Sequence, residues 1–297
     1  MTSFVIVTPV RNAETLIEGT ASSILRQTIL DNEQHHLHYI VVDGASTDHT
    51  LDVLNTLKSR CNSNSRIAFD IISEADEGMY DAIRKGFANA RMGNDTVCAY
   101  LNAGDLYSPY ALEVVAGIMD QEDVNWLTGL RSFYDRDGHL YKSDLPFTYK
   151  SSLIRACQYG KGLLPYIQQE STFWSGALLQ TIDWSFLSSL RYAGDAYLWF
   201  NFSNVTDLNI VSCWLGGFRS HDGQLSQRHQ KEYELEVASF RERLSVKSLP
   251  SLAVSLLMNS VPCRFRRFAM PNLFWPASTD RRFARRSELA QTKQLLP

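Results

Sequence analysis

The chain lacks any apolar run approaching the ~20 residues that cross a bilayer as a helix, which excludes a helical membrane span. It has no Cys-x-x-Cys pair. Its five cysteines, at 61, 98, 157, 213 and 263, are odd in number and scattered, which excludes a zinc ribbon, a dithiol redox motif and a disulfide framework. There is no Pro-rich or Gly/Ser-rich stretch to act as a linker, and no internal repeat. Two phosphate cradles are also missing. The first strand runs into Thr8-Pro9-Val10-Arg11-Asn12 where a dinucleotide fold has Gly-x-Gly-x-x-Gly, and Gly-x-x-x-x-Gly-Lys-[Ser/Thr] occurs nowhere. Met1–Val7 carries no basic leader and reads as a first strand, not a signal peptide, so the expected location is the cytoplasm with reduced thiols.

What is present suits one large folded core. The chain has 297 residues, 44% hydrophobic and 21% charged, both ordinary for a globular domain. Charge is unevenly placed. Residues 241–297 hold eleven Lys/Arg against three acids, an excess of eight, so with the whole chain at −3 the first 240 residues carry −11. An acidic body excludes nucleic acid as a partner of the main domain, and any anionic ligand there needs a local cation. The organisation expected is a domain over 1–245 and a basic, apolar, helical segment over 246–297.

The first hundred residues alternate between two periods. Strands are expected at Phe4–Thr8, Tyr39–Val42, Ile67–Ser73 and Val97–Leu101. Helices are expected at Ala13–Gln27, Thr47–Lys58 and Gly78–Ala90, with another opening at Ser108-Pro109. Such alternation predicts a mostly parallel sheet covered on both faces. Each strand ends in groups able to bind: Thr8-Pro9, Asp43-Gly44, Ser73–Asp76 and Asn102–Asp105. In an open α/β sheet those ends share one crevice. Further on, Trp126–Tyr134 and Leu140–Lys142 flank Asp137-Gly138 as a hairpin. Helices are expected at Ser151–Tyr159, Ala177–Ile182, Asp195–Phe202 and Ser226–Leu244, and a strand at Val211–Phe218.

Without glycine cradles, a diphosphate is held naturally by a divalent ion bound to one or two carboxylates. Here the motifs become specific. Thr8–Asn12, Val41-Val42-Asp43-Gly44-Ala45-Ser46-Thr47-Asp48, the run Ser73–Gly86 and Leu101-Asn102-Ala103-Gly104-Asp105 resemble family-2 glycosyltransferases of the GT-A fold. Gln168–Trp174, Arg191-Tyr192-Ala193-Gly194-Asp195 and Phe218-Arg219-Ser220-His221 resemble a bacterial branch that builds surface polysaccharides. The resemblance spans about residues 3–240, with the motifs in order.

The resemblance implies inverting transfer of a sugar from a nucleotide diphosphate, a UDP-sugar ahead of a GDP- or dTDP-sugar, to a hydroxyl of a saccharide acceptor, and a lipid-linked acceptor would be presented at a membrane surface. It places Asp43 at the nucleobase or ribose, with Thr8, Pro9, Arg11 and Asp76 nearby and Asn102-Ala103 lining the donor. Lys85 either approaches the donor or pairs with Asp81 at i,i+4. Asp105 is the expected ligand of Mn²⁺ or Mg²⁺, and His221 matches the C-terminal His that completes that coordination in some GT-A enzymes. Asp195, at a helix start and anchored by Leu198 and Trp199, is the expected general base, or else only a helix cap. Glu170 is the reserve base, or an acceptor contact with Gln169. Two departures stand out: the metal motif keeps only its last carboxylate, and Gly194 replaces the acid that often precedes the base. Rival readings are a sugar nucleotidyltransferase, whose Gly-rich basic loop is missing after strand one, and an inactive scaffold. The tail's Leu, Phe, Trp and Arg residues suggest peripheral attachment to an anionic membrane.

Overall fold

Residues Ser3–Val10 form the central strand, and their side chains show why two layers of helix are needed. Phe4 and Ile6 point into one core, Val5 and Val7 into another, and all four are buried. The computed structural model describes residues 1–32, 34–61, 64–120, 124–160, 163–220 and 229–262, with the backbone of 273–274 and 284–285. In chain order the strands are β1 (Ser3–Val10), β2 (His36–Asp43), β3 (Ile67–Ser73), β4 (Val97–Tyr100), β5 (Leu106–Tyr107), β6 (Trp126–Thr128), β7 (Arg131–Tyr134), β8 (Leu140–Asp144), β9 (Thr172–Ser175), β10 (Asn209–Ile210) and β11 (Gly216–Arg219), then β12 (Leu273–Phe274) and β13 (Ala284–Arg285). The helices are α1 (Ile17–Leu25), α2 (Thr50–Cys61), α3 (Met79–Asn89), α4 (Ala111–Met119), α5 (Ser151–Arg155), α6 (Trp184–Ser189), α7 (Gly194–Phe202), α8 (Gln230–Phe240) and α9 (Leu249–Ser260).

The main sheet has the order β10-β6-β9-β4-β1-β2-β3. Its pairs are parallel except where β9 runs against β4 and β6. It is the expected mixed, mostly parallel α/β sheet. The chain winds outward from β1 to β2 and β3, then returns to place β4 on the other side of β1. That reversal opens a crevice at the carboxyl ends of β1 and β4.

One face of the sheet is covered by α1, α2 and α4 through Ile17, Ile24, Leu54, Leu112 and Val115. The other is covered by α3, α6 and α7 through Ile83, Phe87, Leu187 and Leu198. Gly86 lets α3 close on β1, since a Cβ there would fall 2.4 Å from Val7 Cγ1. Beneath α7, Trp199 stacks on Trp126 at 5.5 Å and meets Trp174 edge-on at 5.7 Å, with Phe202 beside them. Such aromatic pairs add about 0.5–1.5 kcal/mol each beyond burial, so α7 sits on the most firmly packed part of the molecule.

Three expectations need correction. Trp126–Tyr134 is not one hairpin arm. The chain breaks at Gly129-Leu130, leaving β6 in the main sheet while β7 and β8 join a second sheet of order β5-β11-β7-β8. Gly129 marks the break, because a Cβ there would lie 2.6 Å from the Cys213 carbonyl. Val211–Phe218 is likewise broken, with regular pairing only at Asn209–Ile210 and Gly216–Arg219. In the C-terminal segment the described residues hold helix at α9 and an antiparallel pair of β12 with β13, where helix was expected throughout. Helix α9 docks on the catalytic body by Leu252 and Leu256. Its far side leaves Leu249, Val254 and Leu257 exposed, and Leu249–Ser260 holds no charged residue. Among the described residues no helix is long and apolar enough to cross a membrane.

Candidate active site

The crevice is built from four strand ends, and the two sides of it use carboxylates differently. At the end of β2, Asp43 is wholly buried and its oxygens are taken. Ser73 Oγ donates at 2.7 Å, the Ser46 N–H at 3.2 Å, and the Ser46 hydroxyl donates as well. Asn12, at φ 50°, closes the loop from the β1 side: its N–H donates to Ser46 Oγ at 2.8 Å and its Oδ1 accepts from the Thr47 N–H at 2.8 Å. Asp43 thus braces the crevice wall, with both oxygens already accepting hydrogen bonds from Ser46 and Ser73. Thr8 is also turned inward, accepting from the Tyr39 hydroxyl at 3.1 Å with no exposed surface. Pro9 is buried in register with Val42. Of the residues expected at the donor, exposed Arg11 and half-buried Asp76 have surface to present. Asp76 leans over the β2 end because residue 44 is glycine: a Cβ there would lie 2.3 Å from Asp76 Oδ2.

Lys85 does form the i,i+4 pair. Its Nζ lies 3.4 Å from Asp81 and 2.9 Å from Glu74, and it donates to the Ala75 carbonyl at 2.7 Å. The Glu74 hydrogen bond raises its pKa. It ties the β3 exit to α3.

Beyond β4 the loop carrying the metal motif is shaped by backbone geometry. Gly104 sits at φ 110°, where side chains are strained, and its N–H donates to Thr20 Oγ1 at 2.8 Å. The same hydroxyl donates to the Asp105 carbonyl at 2.9 Å, so α1 fixes the loop. Asp105 is buried and accepts from the Arg219 N–H at 3.0 Å, while the Arg219 guanidinium reaches back to the Arg136 carbonyl at 3.1 Å. Burial and the charge of Glu170 hold the Asp105 carboxyl well above the usual range. Nearby, the buried oxygens Asn102 Oδ1 and Gln169 Oε1 have no donor facing them. Ala103 is half-buried at the rim. Buried acceptors without donors, next to a buried carboxylate, are what a hard cation with oxygen ligands requires, so these residues fit a divalent metal. His221 lies outside the described residues.

Glu170 occupies a short 3-10 turn ahead of β9. Burial, then the charge of Asp195, lift its pKa to about 7. Asp195 begins α7, where burial and, less strongly, Glu236 lift its pKa to about 6. Its Oδ1 accepts from the Ala196 N–H at 2.8 Å and its N–H donates to the Tyr80 hydroxyl at 3.3 Å. Bonding to the Ala196 N–H is a cap-like contact, and it leaves Oδ2 uncommitted. Asp105, Glu170 and Asp195 therefore form a chain of carboxylates, each sensing the next. Gly194 is explained by Tyr80, whose ring would lie 2.5 Å from any Cβ at 194. Gln169 donates through Nε2 to the Tyr100 carbonyl and so is tied to β4.

Sequence reading missed Thr20, Tyr80 and Glu236, whose partners lie 43–115 positions away. A lone Thr on the apolar stripe of α1 is the one such signal the sequence carried. It also missed Asp135, Asp137 and His139, which gather within 4.8 Å at the β7–β8 turn; Asp135 Oδ1 there accepts from the Asp137 and His139 N–H groups.

A fold with its switch point at this crevice, and the metal motif and carboxylates set around it, can be compared with known proteins. The model for glycosyl transferase family 2 matches residues 5–175. The chain belongs to that family. A PGL/p-HBAD biosynthesis glycosyltransferase of Mycobacterium bovis is 30% identical over 165 residues, covering 54% of this chain and 60% of the relative. The chain thus spans less than two thirds of the curated relatives it first matches. An uncharacterized glycosyltransferase of Nostoc sp. is 30% identical over 103 residues, 35% of this chain and 28% of that one. Among solved structures, S. aureus TarS in complex with UDP-GlcNAc aligns with a TM-score of 0.55 over 89% of this chain and 82% of TarS, at 14% identity. The mannosyltransferase PcManGT from Pyrobaculum calidifontis, in complex with GDP-Man and Mn²⁺, aligns at 0.51 over 86% and 69%, also at 14%. Identities this low establish a shared fold, the GT-A fold of this family-2 glycosyltransferase.

Proposed function

We propose that this glycosyltransferase moves a sugar, with inversion, from a nucleotide diphosphate donor, favoured as a UDP-sugar, to a saccharide hydroxyl in the assembly of a cell-surface glycan. The observation that carries the reading is Asp195: a half-buried carboxylate at the start of a helix packed on Trp126 and Trp174, held by backbone N–H groups without a cation and with a pKa of about 6. Such a group is largely ionised at neutral pH yet basic enough to take a proton from an attacking hydroxyl. The donor would enter at the β1–β4 switch, with Arg11 and Asp76 toward the nucleoside and the diphosphate over Asn102–Asp105. Asp105, with Asn102 Oδ1 and Gln169 Oε1, would hold a divalent cation, which when bound neutralises charge on the departing diphosphate. Glu170, whose charge is felt by Asp105 and which itself feels Asp195, would accept a hydrogen bond from the incoming sugar.

Tyr166 lines both a cavity of about 30 Å³ beside Asp195 and an open groove of about 720 Å³ bounded by Arg131, Leu163, Leu164, Pro165, Leu256 and Leu257. The groove has room for an acceptor bearing an apolar group, whose sugar would displace Tyr166 to reach Asp195, and the exposed side of α9 would then face the surface presenting it.

Asp195→Asn tests the reading. In a panel of UDP-, GDP- and dTDP-sugars with Mn²⁺, transfer should fall roughly 10²–10⁴-fold while calorimetry still shows nucleotide binding. Normal transfer by this variant would pass the base role to Glu170.

A further inference from the structure

The residues just before Asp195 are held by a side chain that comes from outside the sheet. In α8, Glu236 accepts three consecutive backbone N–H groups: Arg191 on Oε1 at 2.8 Å, then Tyr192 and Ala193 on Oε2 at 2.9 and 2.8 Å. Successive N–H groups converging ahead of a helix make an anion-binding concavity at the positive end of its dipole, and here a protein carboxylate fills it. A carboxylate suits this place because it only accepts. A glutamine would turn two donors toward N–H groups that are themselves donors. The grip is reinforced nearby. His229, flanking α8, stacks on Tyr192 at 4.7 Å, and Val237 is buried against Ala193 and Cys157. On the opposite side the Tyr80 hydroxyl donates to the Tyr192 carbonyl at 3.4 Å while accepting from the Asp195 N–H.

The geometry points to Glu236 as the positioning residue of Asp195: its carboxylate fixes the Arg191-Tyr192-Ala193 segment that leads into the head of α7. The assignment rests on the proposed role of Asp195 as base. The titratable groups facing Asp195 are Glu170 from the turn before β9, the phenols of Tyr80, Tyr100, Tyr166 and Tyr233, the Cys157 thiol, and Glu236 itself. Glu170 and Glu236 are the carboxylates among them. Removing the Glu236 charge should therefore lower the Asp195 pKa while loosening its segment, two effects that a purely structural contact would not produce together.

Three measurements on the full chain test this. Protein labelled with ¹³C-carboxyl aspartate is titrated by NMR, with the Asp195 resonance assigned by its loss in Asp195→Asn. In Glu236→Gln the midpoint should drop by about half a pH unit or more. Amide hydrogen exchange of residues 191–193 should quicken at least tenfold. For the donor that turns over in the sugar-nucleotide panel, kcat should fall about tenfold with KM within about twofold. Glu234→Gln, on the same helix and exposed, should match the wild type throughout. A folded Glu236→Gln with unchanged midpoint and exchange overturns the proposal. If that variant does not fold, Glu236→Asp keeps the charge and shortens the reach: the midpoint should hold while exchange quickens, and wild-type behaviour in both overturns it. Should Asp195→Asn transfer sugar normally, the base reading fails, yet the titration and exchange still report whether Glu236 positions that segment.

Discussion

Two carboxylates, buried Asp81 on α3 and half-buried Asp195 on α7, behave in opposite ways. On α3, Asp81 is pushed up by burial, but the Arg84 hydrogen bond at 2.7 Å, the Glu77 N–H and Lys85 carry its pKa below the ordinary value. On α7, Asp195 is desolvated with only backbone N–H groups and no cation to oppose it, and stays raised at about 6. Asp105 and Glu170 side with Asp195. The rim thus holds its carboxylates with cations and serves structure. The crevice leaves them short of partners, which is how a fold keeps charge in reserve for a ligand or a proton.

The sharpest way to break that comparison is to remove the cation proposed to bind in the crevice. Excess EDTA should reduce turnover to below about 1%, Mn²⁺ or Mg²⁺ should restore it, and Asp105→Ala should weaken metal-dependent nucleotide binding. Full activity in chelator would falsify the metal reading. Next comes pH. A base with a pKa of about 6 must lose its proton to act, so the rate should fall about tenfold per unit below pH 6 and level off above it. An acid limb centred near 7 would instead mark Glu170 as the base.

Stability should separate the pair by sign. Because the folded pKa of Asp195 lies above its unfolded value, the folded chain keeps a proton that the unfolded chain has released, and stability drains away as pH rises from about 4 through 6. Asp195→Asn should therefore melt at least about 2 °C higher than wild type at pH 8, the two converging near pH 4. Asp81, with its lowered pKa, contributes stability that is present above its unfolded value and lost as pH falls through the folded one. Asp81→Asn should melt about 2–4 °C lower at neutral pH, with the gap closing in acid. Equal shifts of one sign would erase the distinction. The smallest effect concerns α9: Val254→Asp with Leu257→Asp should weaken binding to anionic liposomes a few-fold and leave the melting temperature unchanged. Liposome binding that ignores these changes removes α9 from any membrane face.

Much of the crevice was legible in the sequence because its strands and helices from β1 to α3 are local. Period-two and period-3.6 patterns announced them, and Thr8, Asp43, Asp76 and Asp105 fell at strand ends. What the sequence did not show was which of those polar groups are already spent. Nothing in the run Val41–Thr47 reveals that Ser73 and Ser46 both hydrogen-bond the Asp43 carboxylate. The strand breaks at Gly129 and after Ile210 were hidden for a similar reason. Those segments switch sheets, and only the backbone that approaches them, the Cys213 carbonyl at Gly129, dictates where. Glu236 looked like one more charge on a solvated helix, because its three partners lie more than forty residues away.

The contact between Gly194 and the Tyr80 ring sets an order on how this site can change. A variant bearing an acid at 194 cannot arise on the present background, since the new Cβ would overlap the phenol within 2.5 Å. Position 80 would have to shrink first, and that step would release both the Asp195 N–H and the Tyr192 carbonyl from their shared hydroxyl. Positions 80 and 194 are thus coupled: a side chain at the head of α7 requires the phenol to move or shrink, and a smaller residue at 80 gives up both hydrogen bonds.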